Sequence, residues 1–268
     1  MVQKNRRFST EEILLIKRLT DEGKSLNYLS RLFSVGKSTL YYQIRKFKPR
    51  IKKEFLVRLS DFHIGELIGA FAGDGNYSHQ RYDRRFPSRP THHRIRYFLT
   101  FSKEREYAEY LKNLLAKLNL NPYIMNRNES VLILTVNSKE YIDFIKTYLT
   151  WDKDKTFSIR LKKNISEYSD NFLRGFARGL MDTDGFLNPG NAVCACISKE
   201  LINNLSEIFT SFDLNIKRRV LIRKGNSRPL YFVRVRRKSL ERYGDVIGFS
   251  NKAKAQSLDN IINGDRKP

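Results

Sequence analysis

Two stretches decide the fold: LIGAFAGDG at residues 67–75 and ARGLMDTDG at residues 177–185. Each is an apolar run with glycines four apart that ends in Asp-Gly. The glycines are Gly65, Gly69 and Gly73 in the first and Gly175 and Gly179 in the second. Four-residue spacing puts them on one face of a helix. A glycine costs a helix interior about 1 kcal/mol relative to alanine, so such a face needs a packing reason. Close approach of two helix backbones supplies one. If the two helices pack in parallel, Asp74 and Asp184 arrive at the same end. A carboxylate at a helix C-terminus opposes the macrodipole, and two together are worse. A divalent cation resolves the conflict, because carboxylate and carbonyl oxygens suit Mg²⁺ or Ca²⁺. One Asp-Gly pair reads as an ordinary turn; its recurrence after the same glycine-spaced helix does not.

Working outward, the flanks repeat as well. Ser-Lys-Glu occurs at 102–104 and 198–200, each time after a strand-like stretch, RIRYFLTF (94–101) and NAVCACI (191–197). Each opens a helical run that ends in a Leu-Asn pair, Leu120-Asn121 and Leu214-Asn215. Two further strand-like stretches and another helix follow, the last strand of each set lying in VLILTVN and LYFVRVR. The period, near one hundred residues, is too long for a solenoid. The pattern predicts two halves of one pseudo-symmetric unit, 62–151 and 171–268, joined by a linker over 152–170.

Charge points to the partner. Lys and Arg number 51 against 28 Asp and Glu, a net +23 with a pI near 10.0. Such an excess fits a polyanion, nucleic acid first. No apolar run reaches membrane-spanning length. The N-terminus has no apolar signal region, so secretion is not expected; the cytoplasm or nucleoid of a prokaryote, or an organellar matrix, is. Two cysteines exclude a disulfide framework and a four-cysteine zinc site.

Residues 1–48 read as a separate all-α block. Ser9 or Thr10 caps EEILLIKRLTDEG, Gly23 stops it, Ser25 opens LNYLSRLFS, and Ser34-Val35-Gly36 turns into KSTLYYQIRKF. Three short helices with a tight turn before the third predict a helix-turn-helix DNA-binding module. Its third helix would present Ser38, Thr39, Tyr42, Gln43, Arg45 and Lys46 to phosphates or base edges. A basic linker over 49–61 follows.

LIGAFAGDG and ARGLMDTDG resemble the two motif copies of single-chain LAGLIDADG homing endonucleases, and the resemblance extends over roughly residues 62–262. It implies an α+β fold: a pseudo-two-fold pair of αββαββα halves whose motif helices form the interface and whose antiparallel sheets form a saddle over DNA. It implies a Mg²⁺-dependent, site-specific double-strand endonuclease, intron-encoded and monomeric, acting on a long asymmetric double-stranded target. Mn²⁺ would substitute, and Ca²⁺ would bind without supporting efficient cleavage. Asp74 and Asp184 stand at the metal-binding motif position, with backbone carbonyls nearby, those of Gly73 and Thr183, as further ligands. The metal would activate water and stabilise developing charge. The family's solvent-organising basic residues lie near the end of each half's last strand, which points to Lys238 and Lys139.

DNA contacts would come from one face of each sheet, because strand side chains alternate. That face would carry Arg94, Arg96 and Thr100, then Lys217, Arg219 and Arg223, then Arg234 and Arg236. The alternatives on the same scaffold are a non-catalytic DNA-binding regulator and an intron maturase with RNA as partner. An intein is disfavoured by the residues at both ends of the chain. This sequence departs from the motif at Ala72, where the second copy has Asp182, and at Arg178, a bulky residue in a helix that should pack closely. His79, His92 and His93 fall in a basic loop over 78–93 and are expected at the surface or on phosphates. Cys194 and Cys196 are expected as buried small residues and Trp151 as packing.

Overall fold

A computed structural model describes residues 8–47, 54–80, 92–127, 129–222 and 228–264. The chain divides into two compact units, Met1–Lys53 and Glu54–Pro268.

The first unit is three helices, α1 (Thr10–Asp21), α2 (Leu26–Leu32) and α3 (Lys37–Phe47). Ser9 and Glu12 form a reciprocal capping box at the start of α1. Gly23 ends it at φ +80°, and Ser34 takes φ +51° in the turn before α3. Ile16, Leu19, Leu29, Phe33, Val35 and Leu40 form the core. Ser38, Tyr42, Arg45 and Lys46 are exposed and Thr39 is half-buried. Gln43 departs from expectation: it is buried rather than outward. It follows Leu40 by three residues, so its side chain falls on the core-facing stripe.

The second unit has two halves of the same order. The first runs α4 (Asp61–Asp74), β1 (Gly75–Gln80), β2 (His92–Thr100), α5 (Phe101–Lys117), β3 (Tyr123–Asn126), β4 (Val131–Asn137) and α6 (Lys139–Tyr148). A short crossover follows, in which β5 (Leu149–Thr150) pairs with β6 (Arg160–Leu161) around the one-turn helix α7 (Lys155–Ser158). The second half runs α8 (Asp170–Thr183), β7 (Gly185–Asn188), β8 (Asn191–Cys196), α9 (Lys199–Ser211), β9 (Ile216–Leu221), β10 (Leu230–Arg236) and α10 (Leu240–Val246), then α11 (Lys252–Gly264). The sheets are fully antiparallel, β1-β2-β4-β3 and β7-β8-β10-β9. One continuous apolar core spans both halves. No helix among the described residues is long and apolar enough to cross a membrane.

Residues 54–59, inside the stretch read as a linker, lie against this unit: Leu56 N–H donates to Leu118 O, and Phe55 packs on Phe144 with ring centroids 5.5 Å apart. The expected inter-half linker is likewise structured.

Helices α4 and α8 start alike. Ser60 and Ser169 cap them, and Ser169 Oγ donates to Asp61 Oδ2 at 2.7 Å, joining the two N-termini. From there they run in parallel with backbones in contact. A Cβ at Gly65 would overlap the Phe172 carbonyl, at Gly69 the Phe176 carbonyl, at Gly175 the Phe62 carbonyl and at Gly179 the Glu66 carbonyl. The glycine stripes are this seam. Arg178 points out of it. Its Nε donates to Ile247 O at the end of α10, and its guanidinium lies 4.7 Å from the Phe62 ring centre.

Candidate active site

The parallel seam delivers Asp74 and Asp184 together. At its C-terminal end a Cβ on Gly73 would meet the Thr183 hydroxyl and lie 3.2 Å from Asp184 Cγ. Thr183 Oγ1 donates back to Gly179 O at 3.0 Å and Leu180 O at 3.1 Å. Burial raises both acids, and the Asp184 charge beside it, then that of Glu104, helps push Asp74 to about 7. Asp182, in the last turn of α8, is fully buried and also raised by desolvation to about 7. Two partly desolvated carboxylates at two helix C-termini make a site that favours a cation.

Two lysines supply positive charge, and neither is one that the sequence reading chose. Lys155, in α7, donates from Nζ to Ala72 O at 2.9 Å and Gly73 O at 3.0 Å. Lys254, in α11, donates to Met181 O at 3.0 Å, Asp182 O at 2.6 Å, Thr183 O at 3.2 Å and Gly185 O at 2.7 Å. Each ammonium thus sits on the unsatisfied terminal carbonyls of a motif helix, where the macrodipole favours it. Burial lowers Lys155 to about 8, against the raising pull of Asp184, Cys196 and Asp74. Burial lowers Lys254 as well, against Asp182, Glu104, Asp74 and Asp184.

Lys139 and Lys238 lie elsewhere and are exposed. Gly75 and Gly185, next to the acids, align with Leu134 and Val233 through their sheet partners. The last strands run on to Asn137 and Arg236, roughly 10 Å further, before Lys139 and Lys238 are reached. The signal that would have found the two lysines beside the acids is in the repeat. Lys153-Asp154-Lys155 and Lys252-Ala253-Lys254 follow the third helix of each half in the same place.

Of the expected metal ligands, the Asp74 and Asp184 carboxylates converge. The Gly73 and Thr183 carbonyls point to the same end, each already accepting a lysine proton. Among the described residues no three His, Cys, Asp or Glu side chains cluster as a metal site.

The strand registers put the expected basic residues on the sheet faces turned away from the helices. Ile95, Tyr97 and Leu99 are buried, so Arg94, Arg96 and Thr100 face outward. Arg94 Nε donates to Asn137 Oδ1 at 3.2 Å across the strand pair. In the second sheet Val233 and Val235 are buried; Arg234 is opposite Lys217, Arg219 opposite Phe232, and Arg236 opposite Asn191. Arg218, between Lys217 and Arg219, turns to the helix side and bonds Asn203 Oδ1 at 3.2 Å. Arg223 lies outside the described residues.

The His93 and His79 rings lie tilted with centres 4.8 Å apart, and His93 Nδ1 shares a hydrogen bond with Tyr77 Oη at 2.9 Å. Most of the basic loop and the His92 side chain lie outside the described residues. Cys194 is buried and Cys196 half-buried, both as free thiols. Trp151 packs on Phe71 with ring centres 5.8 Å apart.

Comparison with known proteins agrees with this geometry. Residues 171–248 match the family described as LAGLIDADG-like domain. The fold is similar to that of the homing endonuclease I-DmoI in complex with DNA and Ca, at a TM-score of 0.57 and 13% identity over 75% of this chain and 98% of that one. It is also similar to the homing endonuclease I-WcaI bound to its DNA recognition sequence, at a TM-score of 0.50 and 15% identity over 78% and 94%. The second unit therefore has the fold of single-chain LAGLIDADG homing endonucleases, and its second half matches the LAGLIDADG-like domain. Two Methanocaldococcus jannaschii proteins are related in sequence. An uncharacterised protein is 21% identical over 94% of this chain and 93% of its own length. The replication factor C small subunit is 27% identical over 76% of this chain, which spans only 10% of that protein.

Proposed function

We propose that this chain is a site-specific double-strand DNA endonuclease that uses a divalent cation. The observation that carries the reading is the convergence of Asp74 and Asp184 at the end of the glycine seam, in a unit with two outward faces rich in Arg and Lys. The donor set is carboxylate and carbonyl oxygen, which fits Mg²⁺, with Mn²⁺ as a substitute and Ca²⁺ as a binder that does not support efficient cutting. Asp74 and Asp184 would hold the ion, with the Gly73 and Thr183 carbonyls beside them. When bound, such an ion supplies Lewis-acid stabilisation and a nucleophilic water at neutral pH.

The chain's own residues do the rest. The seam fixes the two carboxylates against each other. Lys155 and Lys254 neutralise the helix ends and place ammonium charge where phosphate charge develops, so they take the solvent-organising role expected of Lys139 and Lys238. Arg94, Arg96, Thr100, Lys217, Arg219, Arg234 and Arg236 bind the duplex. The three-helix unit adds a second DNA contact through Ser38, Thr39, Tyr42 and Arg45. One chain supplies both acids, so the active form is a monomer on an asymmetric target.

The direct test is a supercoiled plasmid library of candidate sites incubated with the protein and Mg²⁺. Linear product is expected, and Asp184→Asn abolishes it. Tight binding without cutting by the unaltered protein would instead support the DNA-binding regulator; binding to intron RNA in place of duplex would support the maturase.

Salt dependence checks the sheet face separately. Arg234→Ala should weaken binding to the cognate duplex, measured by anisotropy in Ca²⁺. If Arg234 contacts a phosphate, the slope of log affinity against log salt falls by about one. An unchanged affinity and slope would remove Arg234 from the interface.

A further inference from the structure

We propose that Asp182 is the positioning residue for Lys254. The carboxylate of Asp182 holds the start of α11 and so sets the Lys254 ammonium on the end of α8. Asp182 Oδ2 accepts from Ser250 N–H and Oδ1 from Asn251 N–H, both at 3.0 Å. Asn251 O then accepts the first helical bond of α11, from Ala255 N–H at 2.9 Å. A buried negative charge is thereby held at the N-terminal end of α11, where the macrodipole favours it. Three residues after Asn251 the chain returns Lys254 to α8, where its Nζ meets four carbonyls, that of Asp182 itself among them. The two contacts form a reciprocal clasp: α8 grips the start of α11 by a carboxylate, and α11 grips the end of α8 by an ammonium.

Among the described residues the first half has no such clasp. Its matching motif residue is Ala72, and Lys155 reaches only two carbonyls, from a four-residue helix whose N-cap Asp154 makes no side-chain cap bond. Asp182 is the only buried acid that accepts from the backbone of the turn just before α11 among the described hydrogen bonds. Glu104 reaches the same turn through the Asn251 side chain, at 3.4 Å. The prediction is therefore one-sided. Losing the Asp182 carboxylate displaces Lys254 and leaves Lys155 in place.

Lysine acetylation by an N-hydroxysuccinimide ester, read site by site by mass spectrometry, tests this without any cleavage. In the unaltered protein Lys155 and Lys254 should label more slowly than exposed Lys139 and Lys238. In Asp182→Ala, Lys254 should label about tenfold faster, as expected when a protecting contact opens locally, with Lys155 unchanged. If Asp182→Ala melts the unit, both lysines label fast and Asp182→Asn decides. It keeps one acceptor and turns an NH₂ on the other donor, so Lys254 alone should be partly released. Lys254 remaining protected in a folded Asp182 variant overturns the proposal.

The catalytic consequence rests on the endonuclease reading. Asp182→Ala and Lys254→Met should slow the same one of the two strand cuts by at least about tenfold, so that nicked plasmid accumulates. The double variant should be no slower than Lys254→Met. Equal slowing of both strands, or multiplying losses, would overturn it. An unaltered protein that cuts nothing refutes the endonuclease reading, and the labelling result then decides the clasp by itself.

Discussion

Gly69→Ala unfolds the second unit or lowers its stability by about 4 kcal/mol or more, a large part of the roughly 5–15 kcal/mol that holds a domain together. On propensity alone the sign is the reverse, since alanine in a helix interior gains about 1 kcal/mol over glycine. The seam overrides that gain. The added Cβ overlaps the Phe176 carbonyl oxygen and falls 2.9 Å from the Leu180 nitrogen. Both are backbone atoms of a facing helix, so no rotamer relieves the clash. The two helices would have to move apart along the whole seam and lose the packing of Phe71, Phe172, Phe176 and Leu180, all buried there. Ordinary overpacking by a methylene costs about 1–3 kcal/mol; a backbone collision in a continuous core costs more. Gly244→Ala in α10 is the matched control. Its Cβ would meet Leu258 Cδ2 at 3.5 Å, an ordinary contact, at a glycine of unexceptional φ. That variant should be neutral or stabilised by up to about 1 kcal/mol. Circular-dichroism melts of the three proteins decide it. Gly69→Ala melting with the unaltered protein would mean that the seam is looser than drawn.

The seam and its acids were legible from residue order because they rest on two local periods and one repeat. Glycines at 65, 69 and 73 and at 175 and 179 define a helix face, and Asp-Gly closes both helices. The sheet faces were legible for the same reason, since alternation assigns Ile95, Tyr97 and Leu99 to one side and Arg94 and Arg96 to the other. The lysines were not. Lys155 is 81 residues from Asp74 in sequence by its number, Lys254 is 70 from Asp184, and both act by capping carbonyls whose position is set by tertiary folding. The strand ends point instead to Lys139 and Lys238, whose neighbourhoods are solvent and the far ends of the sheets. Asp182 keeps the motif position from which Ala72 departs, but its partners, the Ser250 and Asn251 amides, have no side-chain signature at all. Gln43 is buried for a smaller reason: it borders the apolar stripe of α3, where position outweighs the polarity that would place its side chain outward.

Asp74→Asn stabilises the metal-free protein at pH 8 while removing its response to divalent cations. The sign follows from the two states of the acid. Unfolded, Asp74 ionises near its ordinary value of 3.8; folded, it holds its proton up to about 7, chiefly because burial penalises the charge and then because Asp184 and Glu104 are close. Below the first value both states are protonated and the group contributes nothing. As pH rises between the two values only the unfolded chain gains ionisation, so stability falls through that window and stays reduced above about 7. Asparagine has no charge to lose, and it also relieves Asp184 of a like-charged neighbour. The variant should therefore match the unaltered protein near pH 4. At pH 8 it should exceed it by an amount of the order of 2 kcal/mol, several degrees in Tm for a unit of this size. A cation held by the two carboxylates relieves the same repulsion. Ca²⁺ at about a hundred times its Kd should raise the Tm of the unaltered protein at pH 8 by the equivalent of about 2.7 kcal/mol. It should shift Asp74→Asn little, and the effect should fade toward pH 5 as protons compete for the acid. Differential scanning fluorimetry across pH, with and without the ion, measures all of this in the absence of DNA. An Asp74→Asn protein less stable than the unaltered one at pH 8 would show that the carboxylate is paired in the fold rather than held there for a cation.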